Sequence, residues 1–127
     1  MSDKAKTHRD FEVWRDAMDL VAEIYRLTKA FPKDELYGLV SQMRRAAVSV
    51  IANIAEGAAR QSRKEFIQYL SVSRASLSEL EAELSISERL EYTSGDQTEK
   101  LMESIRNVGT QLSAIIRTLR NKPKQVR

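Results

Sequence analysis

Arg60, Arg63 and Lys64 fall within one short stretch, where Ser62-Arg63-Lys64-Glu65 has the form of a helix start. A helix N-terminus presents free amides and the positive end of a dipole, so it favours phosphate, and added cations strengthen that preference. Arg74 follows about three turns on, at 3.6 residues per turn. A second basic group, Arg117, Arg120, Lys122, Lys124 and Arg127, closes the chain with no acid among it. The chemistry these residues offer is neutralisation of a polyanion. The residue types that catalysis needs are nearly absent. There is no cysteine and His8 is the only histidine, which leaves no thiolate, no Glu-x-x-His metal pair and no Cys-His dyad. No glycine-rich phosphate loop occurs. Glu79 and Glu83 stand one turn apart, as do Glu81 and Ser85, and they read as a solvated acidic face rather than a metal site. The expectation is a protein with no catalytic residue, no metal site and no cofactor.

The net charge of +3 hides a strong sorting along the 127 residues. Residues 44–74 carry six bases against two acids, residues 75–103 two bases against eight acids, and residues 104–127 six bases and no acid. Such segregation fits a polyanion-binding face, and it fits equally an acidic helix pairing with basic ones. Both alternatives stand at this level. The length suits one domain with a core of its own. Four glycines and two prolines are too few for a sheet protein, and the abundance of Leu, Ala, Glu, Arg, Lys, Ile and Ser is that of helical bundles. The first nine residues are polar and basic, with no apolar run behind them, and do not read as a signal peptide. No run of about 18 apolar residues exists to span a membrane. A cytoplasmic location is expected, since the lack of cysteine suits a reducing compartment.

Four helices must position these groups. The first is expected from about Asp10 to Ala30 and carries two apolar stripes at 3-4 spacing: Phe11, Trp14, Met18, Val21 and Tyr25, and beside it Val13, Ala17, Leu20, Ile24, Leu27 and Phe31. Two stripes exceed what one bundle core needs. Either the core-facing stripe is wide, or the surplus, with Trp14, Val21 and Tyr25, is an oligomer interface. Pro32 ends this helix. The second is expected to start at Asp34-Glu35, with the seam Leu36, Val40, Met43, Ala47, Val50 and Ile54 among small residues, and to weaken or end at Gly57. Arg44 and Arg45 lie in its middle, where at least one is expected in a structural ion pair. Asn53 and Glu56, one turn apart before Gly57, are expected to be structural. The third helix starts at the Ser62/Glu65 capping box, with the seam Phe66, Leu70, Ser73, Leu77, Leu80 and Leu84 extending toward Leu90. Tyr69 and Tyr37 each suit a helix edge beside basic residues. After a turn at Thr93 to Asp96, the fourth helix carries Leu101, Ile105, Val108, Leu112, Ile115 and Leu119. The fold expected is all-α, an antiparallel up-down-up-down left-handed four-helix bundle over residues 10–120. A flexible basic segment precedes it (1–9) and a disordered basic tail follows (121–127).

An ordered set of motifs over about two-thirds of the chain adds a resemblance. It comprises Phe11-Glu12-Val13-Trp14, Pro32, Tyr37-Gly38-Leu39, Ser41-Gln42-Met43-Arg44-Arg45-Ala46-Ala47-Val48-Ser49 and Ala52-Asn53-Ile54-Ala55-Glu56-Gly57. It continues with Arg60, Ser62, Glu65-Phe66, Tyr69-Leu70 and Ser76-Leu77-Ser78-Glu79-Leu80-Glu81. This resembles the bacterial four-helix-bundle proteins encoded inside intervening sequences of 23S ribosomal RNA genes. Ile51 stands where many members have proline, and Ala75 where glycine is common. The resemblance implies a four-helix bundle assembled as a homopentamer. It also implies kinship with the accessory proteins of diversity-generating retroelements, which are basic pentamers that bind nucleic acid and a reverse transcriptase.

Two functions follow as expectations. The first is an oligomeric scaffold that binds nucleic acid, with RNA favoured, through Arg60, Arg63, Lys64, Arg74, Arg117, Arg120, Lys122 and Lys124. The second is a protein-interaction subunit with no nucleic-acid contact, in which the basic segments neutralise the acidic third helix and the surplus apolar stripe meets a partner protein.

Overall fold

Each apolar seam winds into a helix in the computed structural model, which describes residues 8–123, with side chains from residue 12 onward. α1 spans His8–Thr28, α2 Ser41–Ala58, α3 Arg63–Arg89 and α4 Gly95–Asn121, and there is no strand among the described residues. Polar contacts fix the directions. Thr28 of α1 meets Arg44 near the start of α2. Ser73 of α3 donates to the Val50 carbonyl of α2, and Ser87 reaches Met43. Arg63 and Arg74 of α3 reach Lys122 and Ser113. Asp16 of α1 accepts from Asn107 and Gln111 of α4. Successive helices are therefore antiparallel and α4 closes back on α1, the expected up-down-up-down bundle.

The core decides between the two stripes of α1. Val13, Ala17, Leu20 and Ile24 are sealed against the other helices, while Trp14, Met18 and Tyr25 remain 38–48% exposed. On α4 every expected seam residue from Leu101 to Leu119 is buried. The α2–α3 seam is the close one. Small residues are buried on both sides of it, Ala46, Ala47 and Gly57 on α2 and Ser73 and Ser76 on α3, with Ser73 bonded to the Val50 carbonyl and Ser76 to Ser49. α2 ends at Ala58, one residue past Gly57. A Cβ at Gly57 would lie 2.8 Å from the Tyr69 Cβ and 2.9 Å from the Phe66 ring. Its missing side chain is what lets α3 approach.

The ends depart from expectation in four places. α1 stops at Thr28, short of Ala30, and α2 begins only at Ser41. Between them lie a 3-10 turn, Lys33–Glu35, and a π turn, Leu36–Val40, broken by non-helical geometry at Gly38. Leu36, expected in the seam, is instead 48% exposed, because that break puts it out of phase with α2. Leu90 is also 48% exposed. α3 ends before it in a Schellman motif, with Tyr92 N–H bonded to the Ser87 carbonyl, Glu91 N–H to that of Glu88, and Glu91 at φ 65°. The complete capping box lies at α4, where Ser94 Oγ accepts from Gln97 N–H and the Gln97 side chain accepts from Ser94 N–H. At α3 Ser62 accepts from Glu65 N–H, but the Glu65 carboxylate receives the Ser62 hydroxyl rather than an amide. The π turn is tied across the top of the bundle. Glu35 accepts from Leu39 N–H and from the Tyr92 hydroxyl, and the Tyr92 ring packs 5.2 Å from that of Phe31.

Ile51 is buried within an unbroken α2. Most of segment 1–9 and all of 124–127, with Lys124, lie outside the described residues. Asn121, expected in the tail, is the last residue of α4, and the carbonyls of Lys122 and Pro123 accept from Arg63.

Candidate nucleic-acid interface

Antiparallel packing of α3 on α4 brings the two basic segments together. From Phe66 to Ser78 of α3 there is no acid, and from Ser104 to the end of the chain there is none. The Arg74–Ser113 hydrogen bond, 3.3 Å, and the Arg63–Lys122 contact, 3.2 Å, lay these stretches side by side. On α4, Arg106, Ser113 and Arg120 recur every seven residues and Arg117 lies one turn past Ser113, so all four share the α3-facing edge. Arg106, Arg117 and Arg120 are exposed, and Arg106 pairs at 3.1 Å with the exposed Glu99 along one face of α4. Lys122 is exposed at the foot of the same strip and Lys64 is exposed beside it at the start of α3, while Arg63 and Arg74 are half-buried. Glu65 is two residues from Arg63 and hence on the opposite side of α3. At 1.5 Å per residue the strip from Arg106 to Lys122 is about 24 Å long. Arg106 belongs to it although the sequence reading left it out of the candidate set. Its seven-residue spacing from Ser113 and Arg120 was the available signal.

Arg60 does not join this strip. Its guanidinium pairs with Glu56, donates to the Tyr69 hydroxyl at 3.0 Å and lies 5.0 Å over the Tyr69 ring. The group therefore spans the α2–α3 junction next to Gly57, and Tyr69 is the partner that the sequence reading placed only at a helix edge. Glu56 is exposed and meets Arg60, not Arg44, Arg45 or the first-turn amides of α3. Asn53 donates to the Ser49 carbonyl at 2.8 Å and to its hydroxyl at 3.0 Å, and Ser49 is bonded to Ser76 of α3.

A profile of the family described as 23S rRNA-intervening sequence protein matches residues 9–114. The chain belongs to this family. A solved structure from Bacteroides thetaiotaomicron VPI-5482 is similar to it, described as a protein of unknown function from the S23 ribosomal protein family. The two share 26% identity over 86% of this chain and 98% of the other, with a TM-score of 0.80. A comparison with curated proteins finds no match.

In this 23S rRNA-intervening sequence protein the motif residues divide by partner. Arg44 closes the end of α1: its Nε donates to Thr28 Oγ1 at 2.9 Å, a terminal nitrogen donates to the Tyr25 carbonyl, and the guanidinium lies 4.5 Å from the Tyr25 ring centre. A cation at a helix C-terminus is favoured by the dipole as well as by the ring. Arg44 is thus structural through hydrogen bonds rather than the expected ion pair. Arg45, beside it, is exposed. Trp14 and Tyr25 face outward on α1, while Val21 is half-buried against the core.

The acidic face of α3 is not wholly solvated. Glu83 is only 5% exposed, and its Oε1 is sealed without a hydrogen-bond partner. Burial, then the charge of Glu79 and a hydrogen bond with it, push the Glu83 carboxyl up to about 7. The i, i+4 spacing of Glu79 and Glu83 does not say how far a helix is rotated into its neighbours, so this burial is not legible in the sequence. Among the described residues no group of three or more His, Cys, Asp or Glu side chains is placed to hold a metal ion. Among the described residues no helix is long and apolar enough to cross a membrane.

Proposed function

We propose that this protein is a non-enzymatic, cytoplasmic, homo-oligomeric scaffold that binds nucleic acid, RNA by preference, along the α3–α4 face. The observation that carries the reading is the strip itself: two neighbouring helical stretches bear cations and no acid. Between Arg74 and Lys122 a phosphate backbone attracted there meets no like charge, while at the other end Glu81 borders the strip and Glu99 pairs with Arg106. The exposed stripe of Trp14, Met18 and Tyr25 supports assembly, and the resemblance implies a ring of five. Repetition around a ring converts modest affinity per strip into avidity.

The binding residues within this reading are Lys64, Arg74, Arg106, Arg117, Arg120 and Lys122, with Arg63 holding the end of α4 in place. Arg60 serves the α2–α3 junction instead. Fluorescence anisotropy with a labelled single-stranded RNA across a salt series tests this. Binding should weaken with salt at a slope of about −0.7 per phosphate contacted. The triple variant Lys64→Glu, Arg117→Glu, Arg120→Glu should bind at least about tenfold more weakly with unchanged helicity, since all three side chains are exposed and each reversal replaces an attraction by a repulsion. Arg60→Ala should lower stability more than binding. No association at low salt, or association indifferent to salt and to the reversals, would leave the protein-interaction reading in its place.

A further inference from the structure

Along the strip, α3 and α4 part to leave a notch of about 170 Å³, roughly five to six waters at about 30 Å³ each. Its floor is Leu77, Ile105 and Gly109, and its rim carries Arg74, Arg106 and Glu81. Glycine inside a helix is disfavoured relative to alanine, so Gly109 calls for a reason. Packing does not supply one. A Cβ at Gly109 would come no nearer than 3.7 Å to the Leu77 Cδ1, an ordinary contact. Gly57 differs, because there the neighbouring helix excludes a side chain. What the glycine does is keep the notch open.

We propose that this notch seats one unpaired nucleobase, so that the nucleic acid taken by the strip is single-stranded; the proposal rests on the nucleic-acid reading above. A base offers an apolar face and a polar edge. The aliphatic floor receives the face, and the guanidinium planes of Arg74, held by Ser113, and of Arg106, held by Glu99, offer stacking at the rim. Glu81 accepts from an exocyclic amine such as that of cytosine. A paired base inside a duplex has both faces stacked and its edge engaged, and it cannot enter. The flanking cations hold the phosphates on either side of the seated base.

The test compares anisotropy titrations of the unaltered protein with labelled oligo(C) RNA and with an abasic strand carrying the same number of phosphates. The base-bearing strand should bind about threefold to tenfold more tightly per seated base. Gly109→Leu fills the notch. It should erase that difference, keep the salt slope, and leave the affinity for a duplex unchanged. Equal binding of the two strands by the unaltered protein overturns the base seat while sparing the nucleic-acid reading, and needs no variant to fold. A Gly109→Leu protein that loses strand and duplex affinity alike, or loses neither, overturns it as well. Failure of every nucleic acid to bind at low salt removes both readings together.

Discussion

Arg60 and Arg63 stand three residues apart and have quite different partners. Arg60 lies over Tyr69 and pairs with Glu56 at the α2–α3 junction, whereas Arg63 reaches across to the end of α4. Composition treats them as equal cations, and only the neighbours separate them. Glu83 makes the same point for acids. Its folded value of about 7 lies above the ordinary 4.5, so the folded protein keeps a proton that the unfolded chain releases. The stability this represents is fully present below about pH 4.5 and is lost as pH rises through about 7. Glu83→Gln should match the parent near pH 4.5 and exceed it by about 1–2 kcal/mol at pH 8, read from denaturant unfolding at both values. A pH-independent difference would mean that Glu83 is solvated. Glu91 offers a second residue-scale test. Its φ of 65° is strained for any side chain, and Glu91→Gly should raise stability by about 1 kcal/mol in the same measurement.

At the scale of elements, the two helical glycines have opposite meanings. Gly57 lets α3 close on α2, and Gly57→Ala should cost about 1–3 kcal/mol through overpacking against Tyr69 and Phe66, despite the better helix propensity of alanine. Gly109→Ala should gain about 0.5–1 kcal/mol, because no neighbour objects. Thermal unfolding of the pair decides it, and equal effects would put both glycines in the same environment. The seams of α3 and α4 were legible in the sequence because leucine and isoleucine recur there at helical spacing with few interruptions. The connector at 33–40 was not legible. Leu36 keeps the apolar period of α2 on paper, but the π turn and the break at Gly38 rotate it out of phase. Ser94-x-x-Gln97 carried a capping signal as plain as that of Ser62-x-x-Glu65, and it is the one that closes in both directions.

For the whole molecule, the surplus stripe of α1 and the basic strip of α3–α4 lie on different helices, so the proposed assembly and the proposed nucleic-acid binding can be tested separately. Multi-angle light scattering should give a mass several times 14.5 kDa. Met18→Glu with Trp14→Glu should reduce it to the monomer while circular dichroism stays helical. Because the stripe proposed as the contact is apolar, raised salt should preserve the assembly while it releases RNA. A clean monomer at micromolar concentration for the unaltered protein would remove the oligomer from the proposal.

Periodicity, capping residues and the ordered motifs were enough for the fold class, the family and the four-helix order, because each is written in local spacing along one chain. The sorting of charge was also visible there, but its meaning was open between a binding face and internal pairing of acidic with basic helices. The tertiary structure decided which stripe of α1 is core. It withdrew Arg60 from the basic set and brought Arg106 into it, and it sealed Glu83 in the α3 interface. The physical reason is rotation and adjacency. A sequence gives the angle between two residues on one helix, but the direction in which that helix faces, and which helix stands beside it, depends on all the seams packing at once.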